Sequence, residues 1–291
     1  MSPLHPRAAL LSTTVAAALL TGVLTSGPAQ AVTGAQSTDG AFAFTARLDI
    51  GSGERACSGV LVDPRWVLTA ASCFADTPQQ SFQIRAGKPA KATTATVGRT
   101  DLTTTAGQVR QVVELVPRTD RDVVLARLAS PVTGVTPAPV GTTMPTAGET
   151  LTVPGFGRTK TEWSPLKLHA GAFTVGTMAT ETLNLTGKDG VAVCAGDTGG
   201  PALRARTGGA GGYEVVAVAT RSWQGGCFGQ DPAETRTDAV STRVDNLRSW
   251  MDVTIQAAPV TDFNCDGVRD TAIADPDAAV GGDAKAGLVR V

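Results

Sequence analysis

Catalysis near neutral pH needs a side chain that takes up a proton and returns it, and imidazole is the one that titrates there unaided. The chain has 291 residues and two histidines, His5 and His169. His5 stands in front of an apolar run, within what reads as a leader, which leaves His169 for any later chemistry. Five cysteines are present: Cys57, Cys73, Cys194, Cys227 and Cys265. With no Cys-x-x-Cys pair and no Cys/His cluster, a zinc centre is not expected. The odd count leaves at least one thiol without an intrachain partner, and counting alone leaves the pairing open. Near the C-terminus, Asp262, Asn264, Asp266 and Asp270 occupy positions 1, 3, 5 and 9 of a loop with Gly267 at position 6. Oxygen ligands at that spacing wrap a hard cation, so Ca²⁺ is the candidate metal there. Position 12 is Ile273, so the bidentate Glu of an EF-hand is missing.

The rest of the chain must position these groups. Lys+Arg 25 against Asp+Glu 26 gives a net charge of -1, which argues against nucleic acid as a partner. Residues 8–24 are mostly apolar, Ser26-Gly27-Pro28 breaks the run, and Ala29-Gln30-Ala31 supplies a small-x-small exit. This reads as a secretory signal peptide, with a mature chain beginning at Val32, outside the cell and with no membrane contact after cleavage. From Ala41 to Val240 the sequence reads as short β-rich runs separated by Gly, Pro, Thr and Asp. Candidate strands are Phe42–Ile50, Gly59–Val62, Trp66–Ala71, Phe82–Ala86, Val109–Val116, Val123–Leu128, Thr150–Val153, Pro201–Ala205 and Val215–Ala219. Short strands at this spacing predict an all-β barrel or sandwich. Val244, Leu247, Met251 and Ile255 change to helical spacing, and Gln256-Ala257-Ala258-Pro259 then reads as a linker.

Three segments carry a family resemblance. The first runs from Cys57-Ser58-Gly59 to Thr69-Ala70-Ala71-Ser72-Cys73, the second is Asp122-Val123-Val124-Leu125-Ala126-Arg127-Leu128, and the third is Cys194-Ala195-Gly196-Asp197-Thr198-Gly199-Gly200-Pro201. In this order they resemble the trypsin/chymotrypsin-like serine proteases, with weaker echoes in Gly155-Phe156-Gly157, Ser222-Trp223-Gln224 and Trp250-Met251. The resemblance covers residues 32–255. It implies two six-stranded β-barrels, a C-terminal helix, a site in the cleft between the barrels, and no cofactor. It also implies disulfides Cys57–Cys73 and Cys194–Cys227. The first would close a short loop, worth roughly 3 kcal/mol if unstrained.

The resemblance further assigns the catalytic triad positions to Ser72, Asp122 and Thr198, and the oxyanion hole to the N–H groups of Gly196 and Thr198. Two of the three are altered. Ser72 stands where the family has histidine, and a hydroxyl is far too weak a base to hold a proton in transit. Thr198 stands where the family has serine, and its extra methyl restricts χ1. In a hydrolase of unrelated fold with the same triad logic, losing the serine or the histidine alone costs about 10⁶-fold in turnover. The expectation is therefore a secreted pseudoprotease that binds an extended peptide or protein in the interbarrel cleft. The alternative is a serine-type endopeptidase with residual activity through Thr198. A third reading makes the β-domain a passenger on a surface adhesion protein.

By the same resemblance the floor of the primary specificity pocket is Ala192 and its rim is Ser222, Trp223 and Gln224. No acid lies at the floor, so a preference for Lys or Arg is not expected, and Gln224 would obstruct large side chains. The free amine of Val32 would insert and pair with Asp197. The C-terminal segment resembles an FG-GAP repeat of integrin-type β-propellers, through Asp262-Phe263-Asn264-Cys265-Asp266-Gly267-Val268-Arg269-Asp270 and the strands expected after it. One repeat cannot make a propeller, so this tail reads as a fragment. The expected division is residues 1–31 signal peptide, 32–255 protease-like domain, and 256–291 linker and partial repeat.

Overall fold

The computed structural model describes residues 35–206 and 212–257, together with the backbone of two short strands in the tail. The chain opens with β1 (Ala35–Gln36). Six strands then close on themselves: β2 (Thr45–Ile50), β3 (Arg55–Asp63), β4 (Trp66–Thr69), β5 (Thr93–Val97), β6 (Gln108–Pro117) and β7 (Val124–Leu128), in the order β2-β3-β4-β7-β6-β5. A second set follows: β8 (Thr150–Gly155), β9 (His169–Met178), β10 (Thr182–Gly187), β11 (Pro201–Ala205), β12 (Tyr213–Ser222) and β13 (Asp238–Arg243). Their order is β9-β10-β13-β12-β11-β8, and β8 pairs back onto β9 to close a second six-stranded barrel. Closure leaves no long open edge, and β1 adds only two residues outside β9.

Alternation explains why these segments are strands. In β10, Leu183 and Leu185 point inward and are buried while their neighbours are more exposed. The first core gathers Leu48, Leu61, Val67, Ala126 and Leu128, and the second gathers Leu151, Phe173, Val175, Leu185 and Val216. A third cluster lies between the barrels: Val60, Trp66, Leu68 and Leu125 from one side meet Leu203, Val215 and Val218 from the other. Helix α1 (Arg248–Ala257) covers this cluster with Met251.

Four barrel strands, β5, β9, β10 and β13, and the short β1 are absent from the sequence expectation. The four barrel strands each carry threonine, which reads as a spacer along the chain, yet its β-branched side chain favours a pleated, half-buried surface. Phe82–Ala86 forms no strand. Phe82 and Ile84 instead pack, partly buried, against the first core, and only Gly87 pairs, exchanging two backbone hydrogen bonds with Leu115. The helix begins later than its spacing suggested, because Val244 and Leu247 sit in the turn before it. In the tail, β14 (Ile273–Asp275) pairs antiparallel with β15 (Leu288–Arg290). Residues 1–31, Val32, the residues Asp262, Asn264, Asp266 and Asp270, and Cys265 lie outside the described residues. Among the described residues no helix is long and apolar enough to cross a membrane.

Candidate active-site cleft

The cleft is built from a turn of the first barrel and a loop of the second. β4 ends at Thr69 and runs into a 3-10 turn over Ala71–Phe74 that carries Ser72. The Cys57–Cys73 disulfide ties this turn to β3. Arg55 ties it again, its Nη1 donating to the carbonyls of Cys73 (2.7 Å) and Ala75 (2.8 Å). The Ser72 N–H donates to Asp122 Oδ1 at 2.8 Å. Asp122 is 8 % exposed, and burial pushes its carboxyl above the usual 3.8 despite that N–H. The Ser72 hydroxyl is close enough to lower the Asp122 carboxyl, but it is buried without any hydrogen bond of ordinary geometry.

The facing loop runs from Cys194 to Gly200 and folds on its own backbone, with Asp197 N donating to Cys194 O and Gly200 N to Asp197 O. Ser58 of β3 fastens it to the first barrel. Its N–H donates to Thr198 O (2.8 Å) and its hydroxyl donates to Gly196 O (2.9 Å) while accepting from Phe156 N (3.1 Å). Gly199, with φ +85°, lets the loop come this close, since a Cβ there would strike Thr69 Oγ1 and the Ser58 carbonyl. The N–H groups of Gly196 and Thr198 find no acceptor among the described residues, so both remain available to a ligand oxygen. Thr198 and Ser72 both line the resulting cleft, which encloses about 440 Å³.

His169 is elsewhere. It begins β9, pairs with Gln36 of β1, and lines a separate small cavity with Asp197, Gly157 and Ala192. Its Nδ1 is buried without a partner, and burial holds its pKa below 6.5. Asp197 accepts from the N–H groups of Gly157 (2.7 Å) and Cys194 (2.9 Å), and burial still pushes it up to about 6. No cation pairs with it among the described residues.

The expected pocket residues divide. Ala192 is 2 % exposed, packed with the Cys194–Cys227 disulfide behind the cleft. Ser222 and Gln224 line the cleft, whereas Trp223 lies outside its lining and is covered by the Arg236 guanidinium at 5.3 Å. Gln224 adopts φ 60° and its Oε1 accepts from Ala195 N at 3.0 Å, tying the two walls of the pocket together. Sequence reasoning missed Arg221. Gly199 N donates to Ala219 O and Ala219 N to Gly200 O, so Ala219 abuts the Thr198 loop. The register then slips between Ala219 and Arg221, and Arg221 emerges exposed in the cleft. Sequence reasoning also gave Ser58 no role, because a serine within a strand carries no signal of the loop it will meet.

The described residues contain no cluster of three or more metal-ligating side chains. A family model described as Trypsin matches residues 31–251. Among solved structures, human heparin binding protein is similar at 21 % identity and TM-score 0.60, over 78 % of this chain and 97 % of that one. Neuropsin, described as a serine protease expressed in the limbic system of mouse brain, is similar at 20 % identity and TM-score 0.59, over 76 % of this chain and 98 % of its own. At such identities these structures speak for the fold, and the family model speaks for descent. With two closed six-stranded barrels and a terminal helix, the chain belongs to the trypsin family.

Proposed function

We propose that the chain is a secreted pseudoprotease whose interbarrel cleft binds an extended peptide or protein segment without cleaving it. The observation that carries this is Ser72. It occupies the turn beside Asp122 where the family mechanism needs an imidazole, and its hydroxyl, without a partner, offers no base. Thr198 lies across the cleft with no group to take its proton, because His169 lines a different cavity. The binding features persist. The free N–H groups of Gly196 and Thr198 point to an acceptor oxygen, and the cleft is large enough for several side chains.

The same reading makes residues 1–31 a signal peptide and Val32 the first mature residue. β1 pairs with β9 at His169, beside the Asp197 cavity, so three residues from Ala35 back to Val32 would bring an amine to that carboxylate. Residues 256–291 are read as a linker and partial FG-GAP repeat, with Ca²⁺ the candidate ion for Asp262, Asn264, Asp266 and Asp270. The second reading is a residual hydrolase through Thr198, favoured by the two unoccupied N–H donors. A fluorophosphonate probe applied to the secreted protein separates the two. The pseudoprotease reading expects no label and no ester turnover. Label on Thr198, lost in Thr198→Ala, establishes the hydrolase instead.

A further inference from the structure

The cleft carries a charge pattern that the family resemblance did not suggest. Its charged lining residues are Arg55 and Arg221, and no acid is among them. Arg55 is committed, its guanidinium holding the carbonyls of Cys73 and Ala75. Arg221 is not: among the described residues its side chain makes no ion pair and no hydrogen bond, and it acts only at longer range on Asp122. That carboxylate cannot serve it closely, since Asp122 is buried behind Ser72 and engaged by the Ser72 N–H. The same lining holds two further donors without acceptors among the described residues, the N–H groups of Gly196 and Thr198. Donors and positive charge thus share one cleft whose lining holds no acid.

Resting on the binding-module reading above, we infer that the cleft is a receptor for a carboxylate borne by a peptide, held by Arg221 and the unpaired donors around Thr198. A planar guanidinium matches a carboxylate in two parallel hydrogen bonds, and charge-assisted bonds of this kind are stronger than neutral ones. A polyanion fits poorly, because one committed and one free arginine make a single charge site on a chain of net charge -1. The carboxylate is either a peptide's C-terminus or an acidic side chain, and the chemistry is common to both.

Four fluorescein-labelled hexapeptides distinguish them by anisotropy against the full chain. All share an Ala-Val-Thr-Ala-Ala stem and end in Glu or Gln, each as the free acid or the amide. The expected result is that at least one carboxylate form binds about tenfold more tightly than the Gln amide, equivalent to ~1.4 kcal/mol, and that salt weakens it. Preference for the Gln acid assigns the α-carboxylate, and preference for the Glu amide assigns the side chain. Arg221→Ala should abolish the preference for the carboxylate forms over the Gln amide, and Arg221→Lys should restore part of it. The exposure of Arg221 makes a folding defect unexpected, and an unchanged near-ultraviolet dichroism spectrum checks it. Equal binding of all four peptides overturns the carboxylate inference while sparing the cleft as a binding site. Binding of none overturns both.

Discussion

Two aspartates sit behind the cleft, and they differ in instructive ways. Asp122 belongs to the first barrel and accepts the Ser72 N–H, and Asp197 belongs to the second and accepts the N–H groups of Gly157 and Cys194. Burial raises both carboxyls from the usual 3.8, Asp197 to about 6. Neither has a close cationic partner among the described residues. For Asp122 the missing partner is, on our proposal, an imidazole whose place Ser72 takes. For Asp197 it is, on our proposal, a chain end that processing supplies. The backbone hydrogen bonds that shape each site survive the absence of its charge partner, so scaffold and chemistry are separable here.

The sharpest way to break this comparison is to restore the lost side chains. The double variant Ser72→His with Thr198→Ser should raise peptide or ester hydrolysis at least 10³-fold over the parent, since single triad losses elsewhere cost about 10⁶. No gain in a progress-curve assay would mean that the backbone around Asp122 is not a preserved scaffold. The next largest effect concerns Asp197. Its folded pKa lies above its unfolded value, so the folded state binds the proton more tightly. The associated stability is fully present below about pH 4 and disappears as pH rises through about 6. A shift of this size corresponds to about 3 kcal/mol. A chain beginning with a free amine at Val32 should escape most of that loss, and a chain still carrying residues 1–31 should not. Urea denaturation at pH 5 and pH 7.5 compares them, and equal loss in both chains would remove the insertion.

Asp122 should respond more weakly and to a different change. Asp122→Ala leaves the Ser72 N–H buried and unpaired, a cost of about 1–3 kcal/mol. Asp122→Asn keeps an acceptor and should cost less than about 1 kcal/mol, again by urea denaturation. If the two variants were equally destabilised, the charge and not the hydrogen bond would be what holds the turn. Smallest is Gln224→Gly. It loses the bond to Ala195 but places glycine at a positive φ, so stability should move by less than about 1 kcal/mol. The altered chain should admit indole to the primary pocket, followed by NMR titration, where the parent does not.

The sequence displayed the architecture through its punctuation. Cys194-Ala195-Gly196-Asp197-Thr198-Gly199-Gly200-Pro201 needs the tight turns that Gly196 and Gly199 provide, so a motif of local geometry was legible without a structure. The strands rich in threonine were not, because a residue suited both to turns and to pleated sheets yields no period by itself. Arg221 was hidden for a different reason. Read along the chain, Ser222-Trp223 looked like the segment flanking the cleft. That Arg221 joins Ser222 in the lining is set by a slip in pairing between β12 and β13, which depends on a partner some twenty residues away. Disulfide pairing followed from the resemblance and not from counting, and Cys265 had no counterpart in it.

Gly199 has a consequence for how such a chain changes over generations. A methyl group there would collide with Thr69 and Ser58, so a replacement at this point unseats one barrel from the other and exposes the product to proteolytic clearance. One residue earlier, Thr198 is only partly buried and lines the cleft, and exchange there does not meet that collision. Mutational drift through this loop is thus filtered unevenly. Hydrolytic competence is the cheap trait to shed and the seating of the halves the expensive one, so lineages of this shape should yield folded, silent descendants more readily than unfolded ones.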